Sequence, residues 1–155
     1  LLETLCATGI RVSELEDITV EAARNGVAEI ALKGKIRTIL LPTKLCRKLL
    51  KYATKGNICH GQIFQTKKAT VLSRKFIWAE MKKLCEAAKV ARSKVFPHNL
   101  RGLFARTFYA ACRDVVRLAD VLGHSSIETT RIYLLSTAKE SARQLDRLNL
   151  LSGWA

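Results

Sequence analysis

The stretch Val95 to Leu135, VFPHNLRGLFARTFYAACRDVVRLADVLGHSSIETTRIYLL, decides how the rest of the chain is read. Pro97 stands just before a helical pattern in which Leu100, Phe104 and Phe108 recur at four-residue spacing and are expected to face a core. His98 and Arg101, three apart, are neighbours on another side of that helix. Asp114 is expected to cap a helix from Val115 to Leu122, closed by Gly123, and Ser125 or Ser126 to start the next, which carries Tyr133. His124 ends a Leu-Gly-His triplet 26 positions after His98, and Tyr133 follows nine later. Two imidazoles, a guanidinium and a phenol in a strongly basic chain point to chemistry on a phosphate. No paired carboxylates accompany them to hold a metal.

The whole chain has 155 residues, enough for one domain with a proper core, and 48% of them are apolar. Twenty-seven Lys and Arg against 13 Asp and Glu give a net charge of +14, which favours polyanions, DNA or RNA above all. The basic residues are spread over several segments, and no apolar run approaches the roughly 20 residues that span a bilayer, so no membrane partner is expected. Five cysteines, Cys6, Cys46, Cys59, Cys85 and Cys112, lie at irregular spacings without a CxxC pair. That pattern predicts reduced thiols in a cytoplasmic compartment and no zinc site. The chain opens without Met inside an apolar stretch, LLETLCATG, as though already within a helix; a fragment of something longer is expected.

Leu1 to Ala7 reads as the end of a helix stopped by Thr8-Gly9. A second short helix is expected near Val12, with Val12, Leu15 and Ile18 facing the core and Arg11 on the turn before it, able to project toward a ligand. Asn25-Gly26 marks a turn, and Val27 to Leu32 and Thr38 to Leu41 read as strands. They are joined by a tip with three positive charges, Lys33, Lys35 and Arg37, beside Gly34. A helix from about Lys44 to Ala53 follows, with Leu45, Leu49 and Leu50 inward, and Gly61 to Thr66 could add a strand to the hairpin. Ser73 is a candidate cap for a helix to about Lys89, with Ile77, Met81, Leu84 and Ala88 as its apolar stripe and Trp78 taken as packing. The tail from Ala138 shows Ala142, Leu145 and Leu148 at helical spacing, then Leu151 and Trp154. The fold class expected is mainly α with a small antiparallel β-sheet.

Thr8-Gly9-Ile10-Arg11-Val12-Ser13-Glu14-Leu15, the basic hairpin with Lys33-Gly34, His98-Asn99-Leu100-Arg101, Leu122-Gly123-His124, and Tyr133 occur in the order found in tyrosine recombinases, the phage integrase family. Any one piece arises by chance; all five in order, at these spacings, resemble that family's catalytic domain over essentially the whole chain. The resemblance implies a catalytic set of Arg11, Lys33, His98, Arg101, His124 and Tyr133. In it, Arg11 and Arg101 clamp the scissile phosphate, since a guanidinium donates two parallel hydrogen bonds and keeps its charge. His98 and His124 assist with hydrogen bonds and proton movement. Tyr133 is the nucleophile, and at an ordinary pKa of about 10 it needs neighbouring cations and a proton acceptor. A hairpin lysine protonates the leaving 5′-oxygen; Lys33 best matches, with Lys35 a second candidate, and Glu14 orients local groups.

The resemblance further implies a 3′-phosphotyrosyl intermediate formed without metal, ATP or other cofactor. It implies double-stranded DNA recombination sites as partners and a homotetramer assembled on them. An N-terminal DNA-binding domain is expected upstream of this chain. The tail from 138 to 155 packs either in cis or on a neighbouring protomer. Lys35, Arg37, Lys44, Lys75 and Arg131 are further candidates for phosphate contact, from location alone. A site-specific recombinase or integrase of a phage or mobile element is the leading reading, acting at the nucleoid within the cytoplasm. A type IB topoisomerase and a DNA-binding module without chemistry are the alternatives; the filled key positions argue against the last.

Overall fold

The computed structural model describes residues 1–32, 35–66, 68, 70–134 and 146–147. Seven helices and one hairpin account for the regular structure of those residues: α1 (Leu2–Thr8), α2 (Val20–Asn25), β1 (Val27–Leu32), β2 (Lys35–Leu40), α3 (Thr43–Lys55), α4 (Arg74–Ala87), α5 (Pro97–Cys112), α6 (Val115–Leu122) and α7 (Ile127–Arg131). Short 3₁₀ turns cover Val12–Asp17 and Arg92–Lys94. The mainly helical fold with one small antiparallel sheet is the one the sequence predicts. No helix among the described residues is long and apolar enough to cross a membrane.

The hairpin pairs Val27 with Leu40 and Leu32 with Lys35. Strand alternation sends Ala28 and Ile30 inward on β1 and Ile39 on β2, and leaves Ile36 and Leu40 exposed. Arg37, two before Ile39 and opposite Ile30, falls on the same inward face. β2 thus begins at Lys35, earlier than expected, and Arg37 belongs to the strand and not to a solvated tip. The expected third strand over 61–66 is not formed: only single bridges join Thr19 to Gln62 and Gln65 to Val71. Ile63 and Phe64 nevertheless bury their side chains in the core.

The main core gathers Leu5 of α1, Ile10, Leu15 and Ile18 around the first 3₁₀ turn, Val20 and Ala23 of α2, the inner face of the hairpin, Leu45 and Leu49 of α3, and Ile77 and Met81 of α4. The segment after Val12 forms a tight 3₁₀ turn where an α-helix was expected, and it still buries Leu15 and Ile18 as predicted. On α4 the buried face is turned toward Met81, Lys82 and Cys85, so that Leu84 is exposed and Ala88 lies past the helix end. Trp78 is likewise not core: it is 52% exposed, and its ring lies under the Lys82 ammonium, 4.5 Å from the centroid. Lys82 donates to the carbonyls of Arg92 and Val95, which pulls it inward and fixes the approach to α5.

A second, smaller cluster joins Ala105 of α5 to Leu118 and Leu122 of α6, with Phe104, Phe108 and Tyr133 packed around it. Pro97 is the first residue of α5, where its missing N–H costs nothing. The fully buried residues of α5 are Arg101, Gly102 and Ala105, while Leu100, Phe104 and Phe108 are only half-buried. The expected inward face is therefore displaced toward Arg101. Asp114 caps α6 and Ser126 caps α7 through side-chain acceptors, as foreseen. Tyr133 sits in the turn just beyond α7, its N–H on the Thr130 carbonyl. The expected helix of the tail, with Ala142, Leu145, Leu148, Leu151 and Trp154, lies outside the described residues apart from 146–147.

Candidate active site

Four segments far apart in sequence converge at one end of α5. Gly9 ends α1 in a left-handed conformation (φ +64°), and a Cβ there would run into the Phe104 ring of α5. This close approach, built on the packing of α1 against α5, delivers Arg11 beside Arg101. Arg11 caps the 3₁₀ turn: its N–H donates to Glu14 Oε2 at 2.6 Å and its Nη1 to Glu14 Oε1 at 2.8 Å. Glu14 is buried, and it also receives Arg37 Nη2 at 2.6 Å. Glu14 therefore orients two guanidiniums, in keeping with the orienting part that the family resemblance implies for it.

Arg101 is 5% exposed, and both terminal nitrogens of its guanidinium have polar partners. Nη1 donates to the Gly9 carbonyl, and Nη2 to the Leu122 carbonyl at 2.6 Å. Nη2 also lies 3.0 Å from His124 Nε2. Burial first, then the neighbouring Arg11 charge, lowers its pKa to about 10, which leaves it charged at neutral pH. Arg11, Arg37 and Arg101 face a single carboxylate, Glu14, so this end of α5 carries surplus positive charge.

His124 emerges from Gly123, the left-handed C-cap of α6 (φ +65°). Its Nε2 faces Arg101, which has only protons to offer, so Nε2 accepts; Nδ1, 2.8 Å from Thr130 Oγ1, carries the proton. Burial, followed by the charges of Arg101, Arg11 and Arg37, lowers the His124 pKa to about 4, in accord with a neutral ring. Thr130 is fully buried at the end of α7.

The Tyr133 phenol oxygen lies 3.4 Å from His98 Nδ1 and 3.5 Å from Nε2, at the edge of the exposed imidazole. On its other side the Tyr133 ring runs nearly parallel to His124, with centroids 6.1 Å apart. Gly102, one position after Arg101, makes room for it: a Cβ there would stand 3.4 Å from Tyr133 Cδ1. Arg11, His98 and Arg101 line a cleft of about 400 Å³, walled by Ile10, Trp78 and Phe96. Five of the six predicted site residues, Arg11, His98, Arg101, His124 and Tyr133, thus meet in one place. Lys33 lies outside the described residues, and Lys35 opens β2 opposite Leu32.

The candidate phosphate contacts divide. Lys44 and Lys75 are exposed, and Arg131 is exposed with its Nη1 on Glu128 at 3.1 Å. Arg37 faces inward, with Nη1 on the Val121 carbonyl at 3.0 Å besides its bond to Glu14. Sequence reasoning missed Thr130 and Gly102, and the Gly9 and Leu122 carbonyls that hold Arg101. A buried threonine and a backbone oxygen carry no pattern of their own; Gly102 alone had a signal, as a glycine inside a helix. Among the described residues no three His, Cys, Asp or Glu side chains are grouped to hold a metal ion.

The chain is 32% identical to the tyrosine recombinase XerA of Pyrococcus furiosus over 154 residues, covering 95% of this chain and 53% of the relative. It spans about half the length of the curated relatives it matches. Its fold superposes on the crystal structure of XerA recombinase with a TM-score of 0.77 at 21% identity, over 94% of this chain and 54% of that one. It superposes on XerH site-specific recombinase bound to difH substrate, a pre-cleavage complex, with a TM-score of 0.76 at 24% identity, over 91% and 43%. The model of the phage integrase family matches residues 1–140. With the fold of tyrosine recombinase catalytic domains and a family match across nearly its whole length, the chain belongs to the phage integrase family.

Proposed function

We propose that this chain is the catalytic part of a site-specific DNA recombinase or integrase, of a phage or mobile element, that breaks and rejoins strands through Tyr133. One observation carries the reading: a phenol stands beside an imidazole, at the lip of a cleft into which two fixed guanidiniums open. The XerA and XerH relatives, the latter crystallised on its DNA substrate, support it.

The scissile phosphate sits between Arg11 and Arg101, whose donors neutralise the charge that builds on its oxygens in the transition state. Tyr133 Oη attacks phosphorus and passes its proton to His98. The bond from phosphorus to the 5′-oxygen breaks, leaving a 3′-phosphotyrosyl link and a 5′-hydroxyl. That oxygen takes its proton from the hairpin lysine, Lys33 or Lys35. His124 Nε2 accepts from Arg101 Nη2 and holds that guanidinium toward the phosphate, while Nδ1 keeps its proton on Thr130 Oγ1. The reverse attack by a 5′-hydroxyl of a partner strand restores Tyr133 and joins the DNA, so the bond energy is conserved throughout.

DNA duplexes bearing recombination sites are the partners, bound largely through phosphates, with affinity that falls steeply with salt. Four protomers act together on two sites. Incubating the full protein with a nicked DNA site, in EDTA, tests the reading. A covalent protein–DNA adduct on a denaturing gel is expected, absent from Tyr133→Phe. An adduct that survives in Tyr133→Phe refutes the nucleophile, and no adduct from the wild type on its own site refutes the enzyme.

A further inference from the structure

Arg37 is the residue of this site whose position is least like the one its sequence context suggests. On a basic hairpin it reads as a hand for DNA, yet its side chain is only 16% exposed and turned into the protein. Nη2 reaches Glu14 Oε2 at 2.6 Å and Nη1 the Val121 carbonyl at 3.0 Å, across 23 and 84 residues of sequence. The Nε atom is buried and has no acceptor among the described residues, an arrangement that spends hydrogen-bonding capacity to hold a fixed shape. Its stem lies against Gly123, where a Cβ would come within 2.5 Å of Arg37 Cδ. The residue preceding His124 is therefore a glycine for two reasons: its positive φ and the space that Arg37 occupies.

Three parts of the site meet on this one side chain. Glu14, its first partner, holds both the backbone and the guanidinium of Arg11. Val121, its second, lies on the last turn of α6, one residue before the Leu122 carbonyl that receives Arg101 and three before His124. The third part is the hairpin itself, whose second strand begins two residues before Arg37. We propose that Arg37 is a positioning residue for strand cleavage: it touches no DNA, but locks the Glu14–Arg11 pair to the turn that presents His124. This role rests on the reading given under Proposed function.

Single-turnover adduct formation at saturating DNA, together with DNA affinity across a salt series, tests it in the full protein. Arg37→Met should slow adduct formation by roughly 10- to 100-fold, the scale of a small misplacement of catalytic groups. The salt slope of DNA binding should stay unchanged, whereas loss of a direct phosphate contact lowers it by about one. In an Arg11→Ala background, Arg37→Met should cost less than about 3-fold more, because its effect runs through Arg11. Arg37→Lys keeps the charge but can serve Glu14 or Val121, not both; it should fall between wild type and Arg37→Met, and it carries the test if Arg37→Met does not fold. Wild-type rates in the Arg37 variants, losses that multiply independently of Arg11, or a salt slope reduced by one overturn the positioning role alone. A wild type that forms no adduct overturns the recombinase reading, and this role with it.

Discussion

Acidifying the protein from neutral pH to near pH 4 titrates a group that the fold keeps uncharged. His124 has its pKa lowered from the usual 6.5 to about 4, by burial first and then by the charges of Arg101, Arg11 and Arg37. In the unfolded chain this imidazole takes up its proton around the usual value; in the folded chain it does so only near the depressed one. Between the two, protons bind preferentially to the unfolded state. The His124 contribution to stability is therefore complete above pH 6.5 and is lost as the pH falls toward 4. Unscreened, a shift of this size corresponds to about 3 kcal/mol. The ring is partly open to a second cleft, lined also by Arg37 and Asp120, and solvent screening brings the effect to about 1–2 kcal/mol. Urea unfolding of wild type and His124→Gln across this range isolates it from other titrating groups. The wild type's advantage over the variant should shrink by about that amount on acidification. A difference that stays constant with pH, or an NMR titration placing the His124 pKa at or above its usual value, refutes the reasoning.

Two further substitutions probe how the site is supported. Gly9→Ala forces a side chain into the left-handed region and against the Phe104 ring, and should destabilise by about 2–4 kcal/mol in urea unfolding; a cost below about 1 kcal/mol would show that α1 and α5 can part without penalty. Lys82→Met removes the ammonium that receives no substitute at the Arg92 and Val95 carbonyls, and should cost about 1–3 kcal/mol. Trypsin should then cut faster after Arg92 and Lys94 in the variant, and an unchanged rate would refute the anchor.

The residues that meet at the end of α5 were legible because they carry chemistry in a fixed order. Arg11, His98, Arg101, His124 and Tyr133 are recognisable as a set, and packing serves only to gather them. The helix caps at Asp114 and Ser126 were legible because capping is local. What depended on tertiary partners was not. The face of α4 turned because Lys82 found carbonyls 10 and 13 residues away, which exposed Leu84 and Trp78. The buried face of α5 shifted because Arg101 was drawn to Gly9 and Leu122. Segment 61–66 buries Ile63 and Phe64 without strand pairing, as apolar residues in a short run fit either state. Arg37 was within reach of sequence reasoning: carrying the alternation back from Ile39 by two places it on the inner face.

The two carbonyls that close on Arg101 come from 92 residues before it and 21 after. Contacts so distant in sequence are slower to form than the local turns of a helix or a hairpin. A chain that has lost its fold keeps every basic residue of the site but not the arrangement around Arg101. The cradle of Arg101 therefore exists only in the folded chain, because Gly9 reaches it from one segment and Leu122 and His124 from another.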